Sequence, residues 1–161
     1  MISSPKISFL AVAITLVTML SGCTTTPAGP VHITKVNPYH YQHGDEFVRT
    51  DDQMIRFEHW RIYHGAVDGK ELEAREGNYY SVFWKSKNRT PATVRLEYRS
   101  ANTGPHIHLK EIHVSAPKKS NVTKFEVIGE EYKTKGKVTQ WKASVIENGA
   151  VVAEFKSFLW K

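Results

Sequence analysis

Three histidines lie close together in one stretch that alternates apolar and polar residues. His106 and His108 are two residues apart, so both side chains would point to the same face of a β-strand. A one-residue bulge at Lys110-Glu111 would return His113 to that face, with the Glu111 carboxylate close by. Zinc or copper accepts three imidazoles and a carboxylate at about 2.0–2.1 Å. The spacing indicates a metal site at these histidines, and an ordinary exposed polar face is the alternative.

A second group of rings lies in the segment 39–45, which has no helical period and follows the turn signal Asn37-Pro38. The group consists of Tyr39, His40, Tyr41 and His43. Aromatic loops bind sugars and peptides because rigid rings supply contact area at a low cost in conformational entropy. The pattern therefore predicts a loop that binds a ligand or partner, and packing against the core is the alternative.

Sequence motifs of enzymes are missing. The chain contains no G-x-S-x-G, H-E-x-x-H, phosphate-binding loop or paired-carboxylate motif. The sequence therefore favours a protein that is not an enzyme. Serine, histidine and aspartate are present, but the sequence cannot align them in space, so a small hydrolase stays an alternative.

The single cysteine, Cys23, ends a segment with the features of an export signal. Lys6 and the amino terminus precede an uncharged run at Ile7–Met19. That run is shorter than the roughly 20 residues that a helix needs to cross a bilayer, and it is typical of a signal-peptide core. Leu20-Ser21-Gly22 then supplies a large residue and two small ones before the cysteine. Residues 20–23 resemble the lipobox of a bacterial lipoprotein precursor, the kind that signal peptidase II cleaves.

The resemblance implies that the Cys23 thiol receives a diacylglyceryl group and that residues 1–22 are removed as a signal peptide. The new amino group would carry a third acyl chain, and no other cofactor is expected. In Gram-negative lipoproteins an aspartate after the cysteine usually signals retention in the inner membrane. Thr24 stands there instead, which implies an outer-membrane anchor facing the periplasm.

The residues after the cysteine predict a flexible connection to one folded domain. Residues 24–30 (TTTPAGP) contain no large side chain, so they cannot bury enough apolar surface to offset their ordering entropy. Seven extended residues reach roughly 25 Å. We therefore assign residues 23–30 to the lipidated cysteine and its tether, and residues 31–161 to a single domain.

Positive charge exceeds negative charge in this chain. Lys and Arg total 22 and Asp and Glu total 16, and only Lys6 lies within residues 1–22. Export to the envelope argues against nucleic acid as a partner. The basic excess favours a lysine-rich solubilising surface, and contact with anionic lipid head groups or acidic polysaccharide is the alternative. The sequence does not show whether the basic residues form one patch.

Short apolar runs between turn signals predict seven or eight strands. The most apolar run, Asn78–Lys87, has large side chains on both faces, which is typical of a central, covered strand. Asn148-Gly149 is a strong hairpin signal. The other predicted strands are Val31–Val36, Met54–His64, Thr93–Ser100, Ile107–Val114, Val122–Ile128, Val138–Glu147 and Ala150–Trp160.

One of these strands has an alternative assignment, and one connection between strands is rich in lysine. Thr50 and Gln53 have the spacing of a capping box, so a helix at Asp51–Trp60 is the alternative to the strand at Met54–His64. Tyr132–Lys137 is predicted as a basic loop.

These elements predict an all-β fold, an antiparallel immunoglobulin- or fibronectin-like sandwich of about seven to eight strands. Trp84 resembles the core tryptophan of such domains, although no cysteine pair flanks it. A fold of this kind does not assign a function. We expect a membrane-anchored envelope lipoprotein that acts as a binding or structural module for a protein or glycan. A periplasmic zinc- or copper-binding protein using His106, His108 and His113 is the alternative.

Overall fold

The computed structural model describes residues 29–42 and 53–161. The strands are β1 (Val31–Tyr41), β2 (Gly77–Ser86), β3 (Ala92–Ser100), β4 (His108–Val114), β5 (Ser120–Ile128), β6 (Val138–Glu147) and β7 (Ala150–Lys156). The helices are α1 (Gln53–Tyr63), α2 (Gly69–Ala74) and α3 (Gly129–Lys135), with a short 3₁₀ helix at Ala101–Thr103. Among these residues no helix has the length and apolar character that crossing a membrane requires.

The seven strands form two antiparallel sheets. One sheet has the order β1-β2-β5 and the other has the order β4-β3-β6-β7. The predicted all-β, immunoglobulin- or fibronectin-like sandwich is therefore confirmed. Asn148 and Gly149, with φ angles of 50° and 78°, form the predicted hairpin between β6 and β7.

The core lies between the sheets and follows the predicted alternation. Val94, Leu96 and Tyr98 on β3 are fully buried, whereas the residues between them are partly exposed. Trp84 on β2 is 1% exposed, and its indole N–H donates to Thr123 Oγ1 at 3.0 Å. The bond satisfies the one polar group of the largest core side chain, so burying the ring leaves no unpaired donor.

The first strand is longer than predicted. β1 continues through Asn37-Pro38 to Tyr41, so the predicted loop at Tyr39–Tyr41 is wrong. β1 lies at the edge of its sheet, where proline is tolerated because an outward-facing N–H is not needed for pairing. The rest of that predicted loop, including His43, lies outside the described residues.

The segment predicted as a strand at Met54–His64 is the helix α1, so the alternative assignment was the better one. Ile62 is 5% exposed and packs against Tyr41 and Tyr79 on the outer face of the three-stranded sheet. Arg75 Nη1 donates to the carbonyl oxygens of Ile62 and His64, at 2.7 and 2.9 Å. A cation on the last carbonyls of a helix stabilises its carboxyl end, and here it also fixes α1 against the sheet.

The predicted basic loop at Tyr132–Lys137 is wrong, because most of it belongs to α3. Glu131 holds this helix in place by accepting hydrogen bonds from three side chains. Tyr98 OH donates to it at 2.5 Å, Lys110 Nζ lies 2.6 Å away and Lys135 Nζ lies 2.8 Å away. Lys110 also donates to the carbonyl oxygen of Glu126 on β5, at 2.6 Å, and so closes the gap between the edges of β4 and β5.

The last strand ends at Lys156, earlier than predicted, and β7 is an edge strand. Trp160 is nevertheless 8% exposed, because it packs on the outer surface of the four-stranded sheet. Arg99 and Lys142 lie over its ring, 4.9 and 5.4 Å from the centroid. Phe158, two residues earlier, is fully exposed.

Candidate binding cleft

A cleft of about 290 Å³ lies between α1 and the outer face of the three-stranded sheet. Its lining combines aromatic rings with polar and charged groups. The lining residues are Asn37, Pro38, Tyr39, Glu58, Arg61, Tyr79, Tyr80, Ser81, Phe83, Lys124, Phe125 and Glu126.

The floor of the cleft is formed by β2. Because Tyr80, Val82 and Trp84 point into the core, the alternate residues Tyr79 and Phe83 point outward. This outward-facing set of rings could be recognised in the sequence, because the alternation gave the strand two apolar faces. A sheet face with large rings needs a cover, and α1 covers one end of it.

The neighbouring strands form the two walls. Tyr39 on β1 and Glu126 on β5 both pair with Tyr79, and directly paired residues share one face of an antiparallel sheet. Asn37 and Lys124 are both paired with Ser81 in the same way. The cleft therefore has an aromatic and amide wall on one side and a charged wall on the other.

The roof comes from α1, whose Arg61 and Glu58 form an ion pair at 2.9 Å on the side facing the cleft. The Tyr79 hydroxyl donates to the carbonyl oxygen of Arg75 at 2.5 Å, which ties the floor to the residue that caps α1. Floor and roof are thus held by packing and hydrogen bonds before any ligand arrives, and such preorganisation lowers the cost of binding.

The electrostatics of the cleft suit recognition. Burial, together with the nearby Glu126 carboxylate, raises the pKa of Tyr79 to about 12, so its hydroxyl stays neutral. Lys124 and Glu126 carry opposite charges along the β5 wall. Neither charge takes part in an ion pair within the described part of the chain. Lys35 Nζ lies 4.6 Å from the centroid of the Phe83 ring at the open end.

The residues predicted to bind a ligand do not form one site in the structure. Tyr39 lines the cleft, while Tyr41 is 1% exposed beneath α1. His40 points to the opposite face of β1, where its Nε2 is 2.8 Å from the Tyr132 hydroxyl. His43 lies outside the described residues, as does Cys23. Sequence reasoning thus found one residue of the cleft but placed it on a loop rather than a strand.

The three histidines predicted to bind metal are not brought together. β4 pairs with β3 in continuous register from His108 to Val114, so the bulge predicted at Lys110-Glu111 is wrong. Without it, His108 and His113 point to opposite faces. Over residues 29–42 and 53–161 no group of three or more His, Cys, Asp or Glu side chains is arranged to hold a metal ion.

Each of the two histidines on β4 has a hydroxyl partner instead. His108 Nε2 is 3.0 Å from Thr103 Oγ1, and His113 Nδ1 is 3.3 Å from Thr93 Oγ1. Burial is the main cause of a lowered pKa at His108, and the charge of Lys135 adds to it. His106 contacts His108, with ring centroids 4.6 Å apart.

The cluster around Glu131 contains perturbed groups, yet its bonds are made within the protein. Burial opposes ionisation of this carboxyl, but the hydrogen bonds from Lys110, Lys135 and Tyr98 outweigh it and lower the pKa of Glu131 to about 2. Burial and the bond to Glu131 raise the pKa of Tyr98. These groups hold α3 on the sandwich, so we assign them to the fold rather than to a binding site.

Comparison with known proteins leaves the cleft as the main guide to function. No protein-family model and no curated protein matches this chain. A crystal structure of a protein from Akkermansia muciniphila is similar, with a TM-score of 0.49 and 16% sequence identity, over 81% of this chain and 70% of that one.

Proposed function

We propose that this chain is a lipid-anchored binding module of the bacterial cell envelope. Acyl chains on Cys23 hold it in the outer membrane on the periplasmic side, and the cleft under α1 binds a short segment of a partner. The cleft is the observation that carries the proposal, because its volume of about 290 Å³ combines large rings with polar groups. That volume lies just below the roughly 300–1,000 Å³ typical of ligand pockets, which suits a short segment rather than a large ligand.

The chemistry of the lining favours a peptide segment of an envelope protein over a glycan. Tyr39 and Phe83 offer ring surface to an apolar side chain. Lys124 and Glu126 offer a cation and an anion on the same wall, which suits a segment carrying both charges. Asn37 adds an amide that can both donate and accept hydrogen bonds.

In-cell photo-cross-linking tests the cleft. A photoreactive phenylalanine analogue placed at Ser81, in the floor, should yield an adduct with one identified protein. The same analogue at Lys156, exposed on β7, should not yield it. The double variant Lys124→Glu/Glu126→Lys keeps the net charge but exchanges the two signs, and it should abolish the adduct.

Each outcome of this experiment decides between partners. An adduct with a glycan would replace the peptide by the alternative ligand. An adduct that survives the charge exchange, or that forms equally from Lys156, would contradict the cleft as a recognition site.

Metabolic labelling tests the anchor separately. Cells grown with labelled palmitate should label the wild-type chain, and a Cys23→Ala variant should carry no label. Absence of label from the wild-type chain would contradict the proposed lipid anchor but would leave the proposal for the cleft intact.

A further inference from the structure

One end of the sandwich gathers three connections around the start of the first strand. We call it the tether end, and it comprises residues 29–32, 85–91, 115–120 and 147–149. Val31 pairs with Ser86, and Lys85 pairs with Ser120, so β1, β2 and β5 begin or end together here. Lys87 N donates to the carbonyl oxygen of Pro30 at 2.9 Å, which fixes the point where residues 23–30 join the fold.

The tether end carries exposed positive charge. Its cations are Lys85, Lys87, Arg89, Lys118 and Lys119, and all five are exposed. Among the described ion pairs none involves any of them. Glu147 is the single acidic residue of these segments, and it is 8% exposed. This surface therefore offers several free cations to an external anion.

We propose that the tether end docks onto an anionic phospholipid surface and orients the protein on its membrane. The proposal rests on the proposed function, since it takes the acyl chains of Cys23 as the anchor. Seven residues lie between Cys23 and Val31, and a chain of that length reaches at most roughly 25 Å. The anchored tether end can therefore come within the Debye length of about 8–10 Å from the anionic head groups, where their field attracts cations.

Attachment by the acyl chains makes docking an intramolecular step, so even a few cations suffice. Each cation near an anionic membrane favours docking by about five-fold. Docking would also direct the cleft away from the bilayer. Tyr39 and Glu126 pair with Tyr79, close to the opposite ends of β1, β2 and β5 from the tether end.

A spin label can report the orientation of the mature, lipidated chain. Cys23 is the only cysteine, and acylation blocks it, so a cysteine introduced by Asn88→Cys is the unique labelling site. Glu130→Cys, exposed on α3, gives the matched control at the other end. The proteins are placed in nanodiscs of phosphatidylcholine, alone or mixed with phosphatidylglycerol, containing a lipid whose head group chelates nickel. Nickel relaxes a nitroxide only on close approach to the head groups.

We expect strong relaxation at position 88 in the anionic discs, loss of that relaxation at high salt, and none at position 130. Replacing Lys87, Arg89, Lys118 and Lys119 by glutamine should lower the ratio of docked to undocked protein by about 100-fold or more. Glutamine at Lys70, Lys137, Lys156 and Lys161 removes the same number of exposed cations elsewhere and should leave the ratio unchanged.

Equal relaxation in both lipid mixtures, or equal relaxation at positions 88 and 130, would overturn the proposal. So would binding to a soluble acidic polysaccharide without any contact with the discs. The intact mass shows beforehand whether Cys23 is acylated, so failure of the anchor is recognised separately. If the chain is not acylated, it would instead be sedimented with vesicles of the same two compositions. A preference for the anionic vesicles that depends on the four cations would support the proposal. Equal binding to both kinds of vesicle would overturn it.

Discussion

The two ends of the sandwich use positive charge in opposite ways. At the end that carries α3 and the carboxyl terminus, Lys110 and Lys135 bind Glu131 at 2.6 and 2.8 Å, and Arg99 lies over the Trp160 ring. At the tether end, five exposed cations have no carboxylate partner among the described ion pairs. Cations bound within the fold contribute to its stability, whereas those left in solvent remain available for recognition.

The largest effect on stability is expected from removing Trp160. This ring is 8% exposed and contacts two cations, so Trp160→Ala loses buried area and both cation–π contacts. We expect the free energy of unfolding to fall by about 2–3 kcal/mol, measured by chemical denaturation. Phe158→Ala, which alters a fully exposed ring, should change it by less than about 0.5 kcal/mol. Equal losses in the two variants would show that the tail does not pack as described.

A smaller effect should appear as a pH dependence at the same end. The fold lowers the pKa of Glu131 from 4.5 to about 2, so it favours the carboxylate. The stability from this shift is present above the unfolded-state pKa and is lost as the pH falls from about 5 towards 2. After allowance for solvent screening, the loss should be on the order of 1–2 kcal/mol.

Glu131→Gln should remove this part of the pH dependence, because the amide does not titrate. The matched control is Glu130→Gln, whose side chain is 91% exposed in the wild type. Denaturation series for the three proteins between neutral and acidic pH make the comparison. Parallel curves for wild type and Glu131→Gln would contradict the assigned role of the carboxylate.

The smallest effect on stability is expected at the tether end. Replacing Lys87, Arg89, Lys118 and Lys119 by glutamine should change the free energy of unfolding by no more than about 0.5 kcal/mol, because exposed cations without partners contribute little to the fold. Urea titration of the variant and the wild type measures the change. A loss above 1 kcal/mol, on the order of a broken internal contact, would mean that these cations serve the fold after all.

Strands that obey a simple alternation could be predicted from the sequence, whereas the helix above the cleft appeared there only as the alternative to a predicted strand. In β3 the buried residues are every second one, so the pattern and the structure agree. In α1, by contrast, Phe57 and Trp60 are 54% and 58% exposed, although large apolar side chains are expected inside. The segment is held as a helix by tertiary contacts through Ile62 and Arg75, which no local pattern reveals.

The candidate sites could be predicted only in part for the same reason. The outward rings of β2 indicated a covered face, but α1, which covers it, was predicted as a strand. His113 was grouped with His108 through a bulge, and continuous pairing of β4 separates them. At the tether end, the cations at 85–89 and at 118–119 are far apart in the chain, and only the order of the strands joins them.

The contact between the Lys110 ammonium and the Glu126 carbonyl oxygen has a consequence for crowding. A bare strand edge invites a neighbouring molecule to extend the sheet, and a lysine placed there discourages it. A strand from another molecule that paired with β5 would have to displace the Lys110 ammonium. Glu131 would then lose one of its three hydrogen-bond donors. This contact should therefore discourage a second copy of the chain from extending the sheet through β5 at high local concentration.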